Sequence, residues 1–166
     1  MTEMAPHYNV LFLCTGNSAR SIMAEAILNK KGYPNFTGFS AGSHPTGKVR
    51  PEAIAQLELA SLPSFDLRSK SWDEFARPAA PKFEFIFTVC DNAAAETCPV
   101  WPGHPITAHW GVPDPAVVQG TPEQIEQAFR AAFVALDRRI GLFLALPFAS
   151  LNNLALSQAV SRIGNQ

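Results

Sequence analysis

The chain has 166 residues, 47% of them apolar, and carries a net charge of −1 at pH 7. That size and apolar content suit one domain over residues 1–166 with a sizeable core. The near-neutral balance excludes the basic footprint of a nucleic-acid binder or of a protein held electrostatically to an anionic membrane surface.

The N-terminal MTEMAPHYN lacks a basic leader region. A short buried strand is expected at residues 10–13, followed at once by CTGNSARS and a helix over residues 21–31 that ends before Gly32, with Ser18 or Ser21 as its cap. A second strand follows at 36–40, a helix at 51–60, and a short helix from Trp72 opened by the capping-box pattern Ser71-x-x-Glu74. A third strand reads at 83–89 and a weaker fourth at 106–109. A long helix, 122–146, begins with the box Thr121-x-x-Gln124 and with Pro122 at its first position. The apolar stretch 140–149 contains Pro147 and falls short of the roughly 18 residues a membrane span needs. A cytoplasmic protein is expected. The proline-rich patches 77–81 and 99–105 read as surface loops.

Strands alternating with helices imply βαβ units and a parallel sheet covered on both faces. Ligands of such sheets sit outside the carboxyl ends of the strands, and Cys14 and Cys90 each follow a strand. Three cysteines in a reducing compartment point to catalysis or metal binding rather than to structural disulfides.

Cys14 stands at the turn from strand to helix, where backbone N–H groups and a nearby cation lower a thiol's pKa. The N–H groups of residues 15–20, wrapped around a point above the sulfur, would form a nest for a tetrahedral oxyanion. Gly16 permits the wrapping, Asn17 tolerates left-handed φ and its amide can brace the loop. Arg20 presents a planar fork that matches two oxygens, and Ser21 can donate a hydrogen bond to the thiolate. A plain core cysteine beside a solvated arginine is the competing interpretation; the strand, the helix and the Gly-Asn-Ser filling favour a site.

The stretch CTGNSARS, with MAEA after it, resembles the C-x5-R-S signature of the low-molecular-weight protein tyrosine phosphatases and of the arsenate reductases that share their fold. The resemblance implies a three-layer α/β sandwich around a central parallel four-stranded sheet. It also implies that Cys14 is the nucleophile and that Thr15, Gly16, Asn17, Ser18, Ala19, Arg20 and Ser21 bind the oxyanion. The pair Asp114-Pro115 in HWGVPDPA is similar to the family's acid loop, which makes Asp114 the expected general acid; an oxide is a poor leaving group and needs a proton.

The segment CDNAAAETCP separates the two branches. Phosphate-ester hydrolysis needs one thiolate, whereas reducing As(V) to As(III) takes two electrons, which two thiols supply in becoming a disulfide. Cys90 and Cys98, with seven residues between them, resemble the cysteine pair of the relay reductases, and Ala116 and Val117 stand where phosphatases place ring-gripping aromatics. The resemblance thus implies arsenate reduction through Cys14, Cys90 and Cys98 in turn. No tightly bound cofactor is expected; thioredoxin, glutaredoxin or a small thiol would serve as external reductant, arsenate as substrate, and the protein would be a monomer. A low-molecular-weight protein tyrosine phosphatase is the alternative. A non-catalytic oxyanion-binding regulator is disfavoured because a carboxylate such as Asp114 would repel the anion.

Zinc on Cys90, Cys98, His104 and His109 is disfavoured, since their spacing lacks the tight pair of cysteines of zinc sites. Some of the resembling reductases hold a loop-stabilising potassium ion, and Asn17, Glu25, Ser71 and Asp73 fall at similar positions, although Ser71 is equally a helix cap. His44 and His109 read as structural or substrate-loop residues, and Trp101 and Trp110 as packing anchors.

Overall fold

Strand β1 (Tyr8–Cys14) runs through the middle of the sheet, and its last five residues are buried, as a strand covered on both faces requires. The computed structural model describes residues 6–90, 101 and 103–165. After β1 come α1 (Arg20–Lys31), β2 (Phe36–Gly42), α2 (Pro51–Leu59), β3 (Phe85–Thr88), β4 (Ile106–His109), α3 (Pro122–Leu144) and α4 (Asn153–Gly164). The strands form one parallel sheet in the order β2-β1-β3-β4. Cys14 pairs with Gly42, Leu13 with Thr88, and Thr88 with His109, so the carboxyl ends of all four strands lie at one edge.

Alternation along β1 divides the core. Val10, Phe12 and Cys14 join Phe85 and Phe87 on the face covered by α1, α3 and α4. Trp110 is fully buried there; its ring stacks on Phe87 at 3.9 Å and its Nε1 donates to the Val160 carbonyl at 2.9 Å. Leu11, Leu13 and Ile86 face the other way, against Phe75 and Phe83 and the half-buried Phe39, Trp72 and Trp101. This second layer is a 3-10 turn (Trp72–Phe75) with its adjoining loops. The four-stranded parallel sheet and its two covering layers match the expected architecture.

The differences have local causes. The third strand closes to Phe85–Thr88, although Glu84 and Val89 extend the pairing through single bonds to Asn9 and Leu13. Neither Ser18 nor Ser21 caps α1: Ala19 stands at the cap position and its side chain makes no capping hydrogen bond. A side-chain cap would consume N–H groups that this helix start can offer to an anion. Ser71 caps the turn by accepting from Asp73 N at 3.1 Å, while the Glu74 side chain is bound to Arg68 at 2.9 and 2.6 Å, so the reciprocal box does not form. The Thr121 and Gln124 box is complete. Helix α3 stops at Leu144, before Pro147.

Helix α4 lies beyond the last element read from the sequence pattern. Its signals were present: Asn152 accepts from Ala155 N at 2.8 Å as cap, and Leu156, Val160 and Ile163 recur at helical spacing on its buried side. A Cβ on Gly164 would strike the His109 carbonyl and lie 2.9 Å from Trp110 Cδ1, so glycine lets this helix end close on β4. Among the described residues, no helix is long and apolar enough to cross a membrane.

Candidate active site

The segment between β1 and α1 is shaped by what its carbonyls bind. Thr15 O accepts from His44 N at 2.9 Å, Gly16 O from Thr46 N at 3.0 Å, and Ser18 O from Arg50 N at 2.8 Å. In a trans peptide the N–H points opposite to the C=O. The N–H groups of Gly16, Asn17 and Ala19 are therefore turned away from residues 44–50. Asn17 takes φ +45° and is fully buried; its Nδ2 donates to Ser21 Oγ at 2.8 Å and its Oδ1 accepts from Lys70 N at 2.9 Å. The asparagine thus braces the loop, as expected. The Thr15 N–H departs from expectation, because it donates to Cys90 Sγ at 3.3 Å.

Arg20, first residue of α1, donates from Nη1 to Val112 O at 2.8 Å and sets Nη2 3.4 Å from Asp114 Oδ2. Asp114 is itself held by Ala116 N, which donates to Oδ1 at 2.9 Å. Arg139 of α3 donates to the carbonyls of Trp110 and Gly111 at 3.0 and 2.8 Å, fixing the turn that carries Val112 and Asp114. The result is a cavity of about 650 Å³ with Cys14 in its floor, Arg20 and Asp114 in its wall, and Thr46, Lys48 and Arg50 at its rim.

Cys14 and Cys90, 4% and 3% exposed, hydrogen-bond to each other through their side chains. The Cys90 hydrogen bond and burial push the Cys14 thiol up, while the Arg20 charge and the Gly16 N–H pull it down. A buried pair of sulfurs in contact carries at most one negative charge. The influences that raise the Cys14 thiol outweigh Arg20 and Gly16, so its net shift is upward. Cys98, the third cysteine of the expected relay, lies outside the described residues.

The four residues Asn17, Glu25, Ser71 and Asp73 have partners within the chain. Asn17 Oδ1 is bound to the Lys70 N–H, Ser71 Oγ accepts from Asp73 N, and Asp73 is exposed. Glu25 Oε1 lies 3.6 Å from the Lys70 ammonium and accepts from Ser40 Oγ at 2.6 Å. The cation that meets this carboxylate belongs to the chain. No sequence pattern marks Lys70, because its partners come from three distant segments. His109 Nδ1 is 2.8 Å from Thr88 Oγ1, and exposed His44 bonds Ser43.

Residues 9–153 match the family described as low molecular weight phosphotyrosine protein phosphatase. The chain is 34% identical to an arsenate reductase of Oceanobacillus iheyensis over 134 residues, 81% of this chain and 93% of that one. It is 33% identical to an arsenate reductase of Bacillus subtilis over 115 residues, 69% and 79% of the two chains. Its fold is similar to the crystal structure of an arsenate reductase from Archaeoglobus fulgidus, with a TM-score of 0.59, 25% identity, and coverage of 80% of this chain and 98% of that one.

Proposed function

The chain belongs to the low molecular weight phosphotyrosine protein phosphatase family, and we propose that within it the protein is an arsenate reductase that works through an internal disulfide relay. One observation carries the reading: a second buried thiol, Cys90, is in hydrogen-bond contact with the loop cysteine and with the Thr15 N–H. Hydrolysis of a phosphate ester has no use for it. Two-electron reduction does.

Arsenate sits in the cradle on the loop N–H groups and the Arg20 guanidinium. The Cys14 thiolate attacks arsenic, and Asp114 gives its proton to the departing oxygen. Cys90 sulfur then attacks Cys14 sulfur; the S–As bond breaks, its electron pair stays on arsenic, and arsenite leaves with a Cys14–Cys90 disulfide behind. The two electrons gained by arsenic are those lost by the two thiols. Cys98 next attacks Cys90, releasing the Cys14 thiolate, and an external dithiol or small thiol in the cytoplasm reduces the Cys90–Cys98 bond. Thioredoxin, glutaredoxin and low-molecular-weight thiols fit that last step equally, and the enzyme acts as a monomer.

The cavity of about 650 Å³ leaves room beside the bound oxyanion for the substituent of a small phosphate monoester, which favours a side reaction of ester hydrolysis at the same loop. The deciding experiment couples purified protein to thioredoxin, thioredoxin reductase and NADPH, and to glutathione and glutaredoxin. Arsenate-dependent oxidation of NADPH is expected with at least one system. Hydrolysis of para-nitrophenyl phosphate with no arsenate-dependent oxidation in any system would assign the chain to the phosphatase branch.

A further inference from the structure

Residues 68–71 form a strap under the oxyanion loop, on the side away from the substrate cavity. Lys70 N donates to Asn17 Oδ1 at 2.9 Å, and Lys70 O accepts from Gly42 N at 2.9 Å. The Ser69 hydroxyl donates to Gly16 O at 3.2 Å and accepts from Gly47 N at 3.1 Å. The Lys70 side chain turns inward. Its Nζ donates to Arg68 O at 2.9 Å and lies 3.5 Å from Ser40 Oγ and 3.6 Å from Glu25 Oε1. Glu25 projects from α1, the helix that begins with Arg20, and the two charged side chains are 14% and 8% exposed.

A carboxylate buried this deeply beside the oxyanion loop is costly unless a cation meets it, and its uncompensated charge would oppose anion binding above. Burial pushes Glu25 up and Lys70 down, and each group's charge opposes the other's shift. We propose that the Lys70 ammonium is the built-in counter-cation of this site: it neutralises Glu25 while its backbone holds Asn17, so that the loop keeps its oxyanion-binding shape without a potassium ion. Lys70 is a positioning residue; it touches neither substrate nor sulfur. The inference rests on the oxyanion-binding role of the loop and not on the redox outcome.

The test is binding of inorganic phosphate to the reduced protein by titration calorimetry, in potassium chloride and in choline chloride of equal ionic strength. Phosphate binding involves no electron transfer, so failure of arsenate reduction leaves this readout intact. Wild type should bind equally in both salts. Lys70→Met should bind about tenfold or more weakly at a temperature where circular dichroism shows it folded, the size expected for losing one charged partner. Removing the stranded carboxylate as well, in Glu25→Gln/Lys70→Met, should recover most of that loss, and this double variant with the wild-type salt comparison decides the matter where Lys70→Met does not fold. A wild-type affinity that rises roughly fivefold or more with potassium would overturn the proposal, fivefold being the lower end of typical coupling between sites. So would wild-type affinity in Lys70→Met.

Discussion

Thr15 donates its backbone N–H to the Cys90 sulfur at 3.3 Å, so the first peptide after Cys14 is bonded to the second cysteine. The loop after Cys14 and Cys90 therefore share a hydrogen bond. Cys90 is held in contact with Cys14, and in the proposed relay that contact would shorten the route from adduct to disulfide.

Removing that neighbour has a signed effect. The Cys90 hydrogen bond is the largest influence raising the Cys14 thiol, so Cys90→Ala should let Cys14 ionise at lower pH. The rate of iodoacetamide alkylation of Cys14, followed against pH, should shift toward acid relative to wild type. The same variant should hydrolyse para-nitrophenyl phosphate and fail to turn over arsenate. A profile displaced toward alkali would show that Cys90 stabilises the Cys14 anion more than it hinders it.

Asp114 faces Arg20 at 3.4 Å and accepts the Ala116 N–H through its other oxygen. Asparagine keeps an acceptor for Ala116 and loses the transferable proton. Asp114→Asn should lower kcat by roughly 10²- to 10⁴-fold, the span of general acid catalysis, with phosphate inhibition little changed. An unaltered kcat would remove Asp114 from the chemistry.

Arg20 satisfies Val112 O and the Asp114 side at once because its guanidinium is a planar fork. Lysine cannot reach both. Arg20→Lys should weaken phosphate binding roughly ten- to hundredfold, the value of a charged hydrogen bond or two.

Gly42 closes β2 directly against the loop. A Cβ there would lie 2.8 Å from the Cys14 carbonyl oxygen and closer still to that of Thr15, both of them backbone atoms. Gly42→Ala should cost about 1–3 kcal/mol of stability by overpacking and raise the KM for arsenate, read by denaturant unfolding and steady-state kinetics. Wild-type values of both would mean the loop yields without consequence.

Much of this was legible before any coordinates. Period and breakers placed β1, α1, β2 and α2, and the Thr121 box gave the start of α3, because each of those signals is local. Cys14, Arg20 and the Asn17 brace were legible for the same reason: a strand end, a glycine and a helix start lie within one short stretch. What stayed hidden was long-range. Val112 O as the anchor of Arg20, Gly42 as the wall behind Cys14, and Lys70 against Glu25 all depend on segments brought together by the sheet order. The Ser71 box does not form, since Ser71 accepts from Asp73 N and Arg68 takes the Glu74 carboxylate. The contact of Cys90 with Thr15 and Cys14 follows from strand adjacency, which the spacing of the cysteines alone does not fix.

The central claim is that Cys14 and Cys90 together reduce the oxyanion held above them. Its most direct test is peptide mapping by mass spectrometry of Cys98→Ala after a single exposure to arsenate without external reductant. Stoichiometric release of arsenite and a Cys14–Cys90 disulfide are expected. Recovery of both cysteines as thiols, with arsenate unchanged, would contradict it.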